Sequence, residues 1–135
     1  MELTHAELHL LQASEGFLDL GMLVEAFNEL EEISPLNRPH PAVLLLSSRI
    51  YLAGGKHDYA HAILSTYTQQ LPDSPAGWFY LACAHAKRRE AMEAEQALQR
   101  CFVAAIKTDD EQLWQNRAVA GKELDMDWCG GQVQL

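Results

Sequence analysis

The sequence predicts an all-α fold in which pairs of antiparallel helices are stacked. The main observation is that residues of the same kind recur every 34 positions along the 135-residue chain. The recurring sets are Ala26, Ala60 and Ala94; Leu30, Leu64 and Leu98; Leu10, Leu44 and Trp78; Gly21 and Gly55; and Pro41 and Pro75. A period of this length is typical of a repeated two-helix unit, because neighbouring units bury each other's apolar faces.

Capping residues and helix breakers place the individual helices in register with this period. Thr4 and Glu7 form a capping box ahead of the first helix. Pro41 and Pro75 suit the first turn of later helices, where a missing N–H costs nothing. Glycines at 21 and at 54–55 supply breaks between paired helices. The predicted helices cover about 5–20, 23–34, 41–53, 57–71, 75–88 and 91–107, in units of about 7–40, 41–74 and 75–108.

A seventh helix is predicted after the third unit, at about residues 109–123. Thr108 and Glu111 form a second capping box, and Leu113, Trp114 and Ala118 give the helix one apolar face. Such a helix is expected to cap the stack, since the last unit would otherwise expose its core face. Residues 1–124 are therefore interpreted as a single domain. The remaining residues, 125–135, show no periodicity, and we expect a mobile tail there.

The third unit carries a family resemblance. Its pattern is Trp78-x-x-Leu81-Ala82-x-x-His85, followed by Ala94, Leu98 and Cys101. This pattern resembles the tetratricopeptide repeat (TPR) motif, and three copies in register span about residues 7–108. His85 and Arg89 stand where that family usually has an aromatic residue and a glycine. The resemblance implies a right-handed superhelix of antiparallel helix pairs that binds other proteins in its concave groove.

Composition narrows the class of partner. The chain has 10 basic and 19 acidic residues and a formal charge of −9, which opposes binding to nucleic acid or to an anionic membrane surface. No basic run precedes an apolar stretch at the start, and no apolar segment approaches the roughly 20 residues needed to cross a bilayer. We therefore expect a cytoplasmic protein. Three cysteines without a C-x-x-C spacing are expected to be free thiols.

The first helix of the second unit is apolar nearly all round, so it needs cover on more than one side. Carrying the repeat frame across the three units assigns one side to a partner-binding groove. The predicted groove residues are Leu8, Leu11, Gln12, Glu15, Leu18, Asp19, Leu45, Leu46, Arg49, Leu52, Phe79, Tyr80, Cys83 and Lys87. We expect an apolar or amphipathic segment of another protein or peptide, such as a helix, to occupy the groove. The alternatives are the chain's own C-terminal helix or a second subunit in a homodimer.

The predicted groove has two further consequences. Because Leu46 would face the partner and not the core, Leu46→Glu is expected to abolish binding while changing stability little. Capture of a C-terminal carboxylate is disfavoured, since it needs clustered cationic and amide donors, whereas Glu15 and Asp19 accompany Arg49 and Lys87 here. A basic or amphipathic partner fits this arrangement better.

Catalytic and metal-binding motifs are scarce. Two histidine pairs have the helical i, i+4 spacing that suits zinc, His5 with His9 and His57 with His61. Neither pair belongs to an H-E-x-x-H motif or has a third ligand in the sequence, so we expect surface histidines and no metal, cofactor or catalytic residue. The sequence predicts a non-catalytic protein-interaction module: an adaptor, scaffold or small chaperone. One alternative is a chaperone similar to the TPR chaperones of type III secretion. From another class, a metal-dependent hydrolase is the alternative.

Overall fold

A computed structural model describes residues 2–108 and 112–117, and every regular element in that part of the chain is a helix. The helices are α1 (His5–Asp19), α2 (Leu23–Glu31), α3 (Pro41–Ala53), α4 (His57–Gln70), α5 (Pro75–Lys87) and α6 (Ala91–Ala105). A seventh helical segment covers 112–117. The all-α prediction is therefore confirmed. The predicted start and end of the seventh helix, the domain boundary at 124 and the predicted tail at 125–135 lie outside the described residues.

The 34-residue period is visible in the backbone. The second helices of the three pairs begin at Leu23, His57 and Ala91. In the turns that precede them, the residues with positive φ are Gly21, Gly55 and Arg89, at 76°, 80° and 64°. Each turn is closed by the same backbone hydrogen bond across five residues, with N–O distances of 2.8–2.9 Å. The three helix pairs therefore share one turn geometry, although the third uses an arginine where the others use glycine.

Arg89→Gly is expected to raise the free energy of unfolding by about 1 kcal/mol, because only glycine adopts a left-handed conformation without a steric penalty from Cβ. The reverse change, Gly55→Ala, is expected to lower it by a similar amount. Urea denaturation of both variants beside the unsubstituted chain measures the two effects. A lower midpoint for Arg89→Gly would show that contacts of the arginine side chain outweigh the strain of its backbone.

The second helix is shorter than predicted. α2 ends at Glu31, whereas the sequence pattern extended it to residue 34. The side chain of Arg38 folds back over this end, where Nη2 donates to the Glu31 carbonyl at 2.7 Å and Nε donates to the Ile33 carbonyl at 3.1 Å. Pro35 disfavours a helical conformation at the residue before it. The guanidinium thus satisfies carbonyls that a longer helix would have bonded internally.

Glu7 fixes the connection between the first two pairs. Its carboxylate completes the predicted capping box with Thr4, which is confirmed. The same carboxylate accepts hydrogen bonds from the Ser34 backbone N–H at 3.0 Å and from the Asn37 amide at 2.7 Å. The side chain is buried, with 7% of the residue exposed. Hydrogen bonds, first from the Thr4 backbone and then from Asn37 and Ser34, hold the pKa of Glu7 below its ordinary value of 4.5.

We expect the Glu7→Gln variant to be less stable than the unsubstituted chain at neutral pH. Glutamine replaces one carboxylate oxygen with an NH₂ group, which would face backbone or side-chain donors that now bond to that oxygen. A carboxyl group whose pKa is lowered by folding adds stability above its unfolded-state pKa, and that stability is lost as pH falls through the folded-state value. The difference should therefore shrink below pH 4.5. Urea denaturation at several pH values measures it, with the exposed Glu25→Gln as control. A difference that does not change with pH would contradict this account.

Helix packing produces two layers. Each helix packs against the other member of its pair, and in addition α1 packs against α3, and α3 against α5. The first helices therefore lie side by side as one layer. The second helices α2 and α4 also pack against the first helix of the following pair, and α2, α4 and α6, which make no contact with one another, are together called the outer layer. One buried cluster joins the first two pairs through residues such as Leu18, Leu30 and Leu46, and another joins the second and third pairs through residues such as Leu64 and Phe79. In the described part of the chain, no helix combines the length and apolar character that spanning a bilayer requires.

Candidate functional site

Part of the predicted groove is core in this structure. The buried members are Leu18, Leu46, Leu52, Phe79 and Cys83, which are 3%, 5%, 3%, 2% and 0% exposed. Leu18 and Leu46 belong to the first buried cluster, and the other three belong to the second. The prediction that these side chains line an open groove is wrong for the isolated chain. The burial of Leu46 leads us to expect that changing it lowers stability, in contrast to the expectation drawn from the sequence. The physical reason is that α3 packs against α1, α2, α4 and α5, which cover it on most sides.

The other predicted groove residues remain accessible. They form what we call the inner surface, on α1, α3 and α5. Its exposed members are Leu8, Gln12, Glu15 and Asp19, and its half-buried members are Leu11, Leu45, Arg49, Tyr80 and Lys87. Leu8 keeps 44% of its surface exposed. The inner surface is therefore less apolar than the predicted groove, and its exposed carboxylates make up a larger share of it.

Two adjacent depressions lie at the α1–α3 end of the inner surface. One, of about 190 Å³, is lined by Leu11, Glu15, Ala42, Leu45, Leu46 and Arg49. The other, of about 230 Å³, is lined by Glu2, Leu3, Leu8, His40 and Ala42. Ala42 borders both. Together they offer an apolar floor with carboxylates at the edge, on a scale that suits individual side chains of a partner more than a small-molecule ligand.

Arg49 connects three helices across the inner surface. From α3, its Nη1 lies 2.9 Å from Glu15 Oε2 and its Nη2 lies 3.9 Å from Asp19 Oδ1, both on α1. Its guanidinium carbon lies 5.6 Å from the ring centre of Tyr80 on α5, which is within range of a cation–π interaction. Arg49 Nε is buried and has no hydrogen-bond partner among the described residues. One hydrogen bond thus ties the guanidinium to Glu15, and the two nearby α1 carboxylates offset its positive charge, which weakens its attraction for the carboxylate of a partner.

The seventh helical segment covers the third pair. The Trp114 ring lies 5.7 Å from Phe79 and 6.3 Å from Tyr80 between ring centroids. The Cys101 thiol donates to the Trp114 carbonyl at 3.9 Å, and Arg117 lies 4.7 Å from the centre of the Trp114 ring. These contacts join the segment to α5 and α6 of the third pair. Both depressions of the inner surface lie away from it, at the α1–α3 end.

A larger depression, of about 540 Å³, lies outside the inner surface and was not anticipated from the sequence. It is lined by Pro72, Asp73, Trp78, Gln96, Gln99, Arg100, Val103, Ala104 and Lys107. Several of its polar groups are paired with one another. Trp78 Nε1 donates to the Pro72 carbonyl at 2.7 Å, Arg100 lies 5.0 Å from the Trp78 ring centre, and Lys107 Nζ lies 3.3 Å from Asp73 Oδ1. This internal pairing favours a packing role for the region.

Histidines meet in a way that the sequence spacing did not indicate. His61 on α4 lies beside His85 in the last turn of α5, with ring centroids 4.8 Å apart. His85 Nδ1 lies 2.8 Å from Oε1 of Glu90, the residue that precedes α6. Burial, with help from the charges of Arg88 and His85, lowers the pKa of His61 below 6.5. The sequence alone does not predict this contact, because His61 and His85 are 24 positions apart and lie on different helices.

The two cysteines in the described part of the chain do not have the character of nucleophiles. Cys83 and Cys101 are both buried. Burial raises the pKa of Cys101 to about 12, so its sulfur stays a neutral thiol near neutral pH. Neither thiol is therefore placed to begin covalent catalysis.

No protein-family model matches this chain, and neither a curated protein nor a solved structure is significantly similar to it.

Proposed function

We propose that this protein is a non-catalytic interaction module of TPR-like, right-handed superhelical architecture that binds another protein through its inner surface. The observation that supports the proposal most directly is the side-by-side packing of α1, α3 and α5, which presents one accessible face with two adjacent depressions at the α1–α3 end. Stacked helix pairs use such faces to bind extended or helical segments of partners. A role as an adaptor, scaffold or small chaperone in the cytoplasm follows from this reading.

The chemistry of the inner surface favours an amphipathic partner segment with basic side chains. Leu8, Leu11 and Leu45 offer apolar contacts around the two depressions. The side chains of Glu15 and Asp19 are 54% and 68% exposed, so both can meet a cation at the edge of the same surface. The formal charge of −9 would also steer a basic segment towards the chain. A type III secretion-like chaperone would use the same surface, with a partner subunit's apolar helix as its ligand.

Site-specific photo-cross-linking tests this proposal in cells that express the protein. A photoreactive phenylalanine analogue replaces Gln12, which is exposed on the inner surface, and Gln70, which is exposed at the end of α4, serves as the control position. We expect a discrete cross-linked product from position 12 and none of the same mass from position 70. Leu8→Glu should reduce that product at least tenfold, whereas Val24→Glu, on the outer layer, should leave it unchanged.

Charge reversal tests the chemistry assigned to the partner. Asp19→Lys should weaken the position 12 cross-link, because the partner's cations would then meet a like charge. Glu25→Lys makes the same change in net charge on α2 and should have little effect. Identical products from both cross-linking positions, or equal losses with the inner-surface and outer-layer variants, would contradict the proposal.

A further inference from the structure

We propose that His61, His85 and Glu90 form a binding site for a divalent transition metal ion, with Zn²⁺ as the best fit. None of these residues belongs to the inner surface, so the site is separate from the proposed partner-binding function. The proposal concerns binding and assigns no reaction to the ion. It departs from the expectation drawn from the sequence, which judged the histidine pairs by helical spacing and found no third ligand.

The geometry brings three donor groups from three structural elements to one place. One potential ligand atom from each of His61, His85 and Glu90 lies within 4.8 Å of the other two. Donors of a tetrahedral zinc site are about 3.3 Å apart, given Zn–N distances of about 2.0–2.1 Å. His85 Nδ1 and Glu90 Oε1 are already 2.8 Å apart, and a metal ion would take the place of the proton they share. The widest separation allowed by the 4.8 Å limit exceeds the tetrahedral spacing by about 1.5 Å, which a side-chain rotation can supply.

The donor set is one that zinc prefers. Two imidazoles and one carboxylate are the three protein ligands of several zinc sites, in which a water occupies the fourth position. The three residues are all half-buried, so they are partly ordered by packing and yet open to an ion from solvent. An ion held here would connect α4, the end of α5 and the start of α6. Binding should therefore stabilise the third turn, where Arg89 has an unfavourable backbone conformation.

Nearby charges do not exclude a cation. A cationic side chain, Arg88, lies beside the cluster, with Nη2 at 3.4 Å from Glu90 Oε2 and Nε at 3.4 Å from Asp58 Oδ1. Its positive charge is thus offset by two carboxylates, one of which also belongs to the donor set. A metal ion that takes one oxygen of Glu90 leaves the other oxygen facing Arg88, so the ion pair and the coordination bond can coexist.

The chain contains a matched comparison in His5 and His9. These rings also have centroids 4.8 Å apart, and they share one face of α1 at i, i+4 spacing. Among the described residues, only the His61 cluster adds a third donor to a close histidine pair. If two adjacent imidazoles were enough, both places would bind zinc equally. If the carboxylate is required, only the His61 cluster should hold the ion tightly.

Isothermal titration of the purified, tag-free full-length chain with Zn²⁺ tests the proposal. We expect one saturable equivalent. His61→Asn, His85→Asn or Glu90→Gln should each weaken it at least a hundredfold, because loss of a ligand costs more than the roughly 10–100-fold typical of a residue that only orients a ligand. His5→Asn and His57→Asn should leave the affinity unchanged. Titration with Co²⁺ should give visible absorption of the intensity typical of a tetrahedral site, and His61→Asn should remove it. Zinc should raise the thermal unfolding midpoint of the unsubstituted chain and not that of His61→Asn.

Circular dichroism of each metal-free variant shows whether it is still folded. A His61→Asn chain that is folded but does not bind zinc supports the site. A variant that has unfolded is replaced by His61→Gln or His85→Gln, which are closer in size to histidine. The absence of saturable zinc binding by the unsubstituted chain would overturn the proposal. Tight binding that survives His61→Asn and His85→Asn, or that is lost with His5→Asn, would overturn it equally.

Discussion

Leu46→Ala is expected to lower the free energy of unfolding by about 2–5 kcal/mol, since it removes most of a buried side chain and leaves a cavity. Leu46 is 5% exposed and packs in the cluster that joins the first two helix pairs. Equilibrium denaturation in urea measures the change. Alanine is a sharper substitution here than glutamate, because a glutamate would lie one helical turn from Arg49 and border the depression that Arg49 also lines.

Leu8→Ala is the matched control for this prediction. Leu8 belonged to the same predicted groove, but it is 44% exposed. Its truncation should change the free energy of unfolding by less than about 1 kcal/mol while weakening capture of the partner. A small effect of Leu46→Ala on stability, with loss of partner binding, would restore the groove as the sequence predicted it and would contradict the burial of this residue.

The burial of Leu46 could not be predicted from the repeat frame. The sequence makes clear that α3 is apolar on nearly every side, and the structure agrees, because four other helices pack around it. The sequence does not show how much of the α3 surface is buried by the neighbouring first helices, α1 and α5. Leu46 and Leu52 lie on flanks that contact the first and third pairs, whereas Leu45 keeps part of its surface in the open depression. Assigning a side of a helix to core or groove requires the packing distances.

Short-range sequence patterns predicted the starts and ends of helices better than they predicted which side chains are buried. The capping box of Thr4 and Glu7 and the breaks at Gly21 and Gly55 are confirmed, because each depends on interactions within a few residues. The end of α2 was wrong by three residues, since it depends on Arg38 folding back onto the helix. No local pattern announces that contact. For the third turn the 34-residue period is informative, because Arg89 adopts the same positive-φ conformation as the glycines 34 and 68 positions before it.

The histidine cluster illustrates the same limit for sites. Helical spacing selects His57 and His61 as neighbours, and their side chains do share a face of α4. The contacts that create a three-donor set are between helices: His61 meets His85, and His85 meets Glu90 across a turn. A helix-pair fold brings the end of one helix close to the start of the next, so donor residues in the turn and in the adjoining pair can meet although they are distant in sequence.

Ala60→Leu is expected to cost about 1–3 kcal/mol of stability through overpacking. Ala26, Ala60 and Ala94 hold the same place in the second helices of the three pairs, and they are 0%, 0% and 2% exposed. A small residue there allows the helices of a pair to approach closely, which explains why alanine recurs with the period. In the central pair, Ala60 lies in the cluster shared with the third pair, so added methyl groups would have to displace side chains of two units.

Ala62→Leu on the same helix is the control, because Ala62 is exposed and leucine is nearly as favourable as alanine in a helix. In urea denaturation, Ala60→Leu should lower the midpoint while Ala62→Leu leaves it nearly unchanged, with similar slopes for both. Ala60 is packed between the second and third helix pairs, so a shift that makes room for leucine in one pair would disturb the packing of the other. Equal midpoints for the two variants would show that the helices of the central pair are not in close contact at residue 60, and the repeat frame carried from Ala26 to Ala94 would then be wrong.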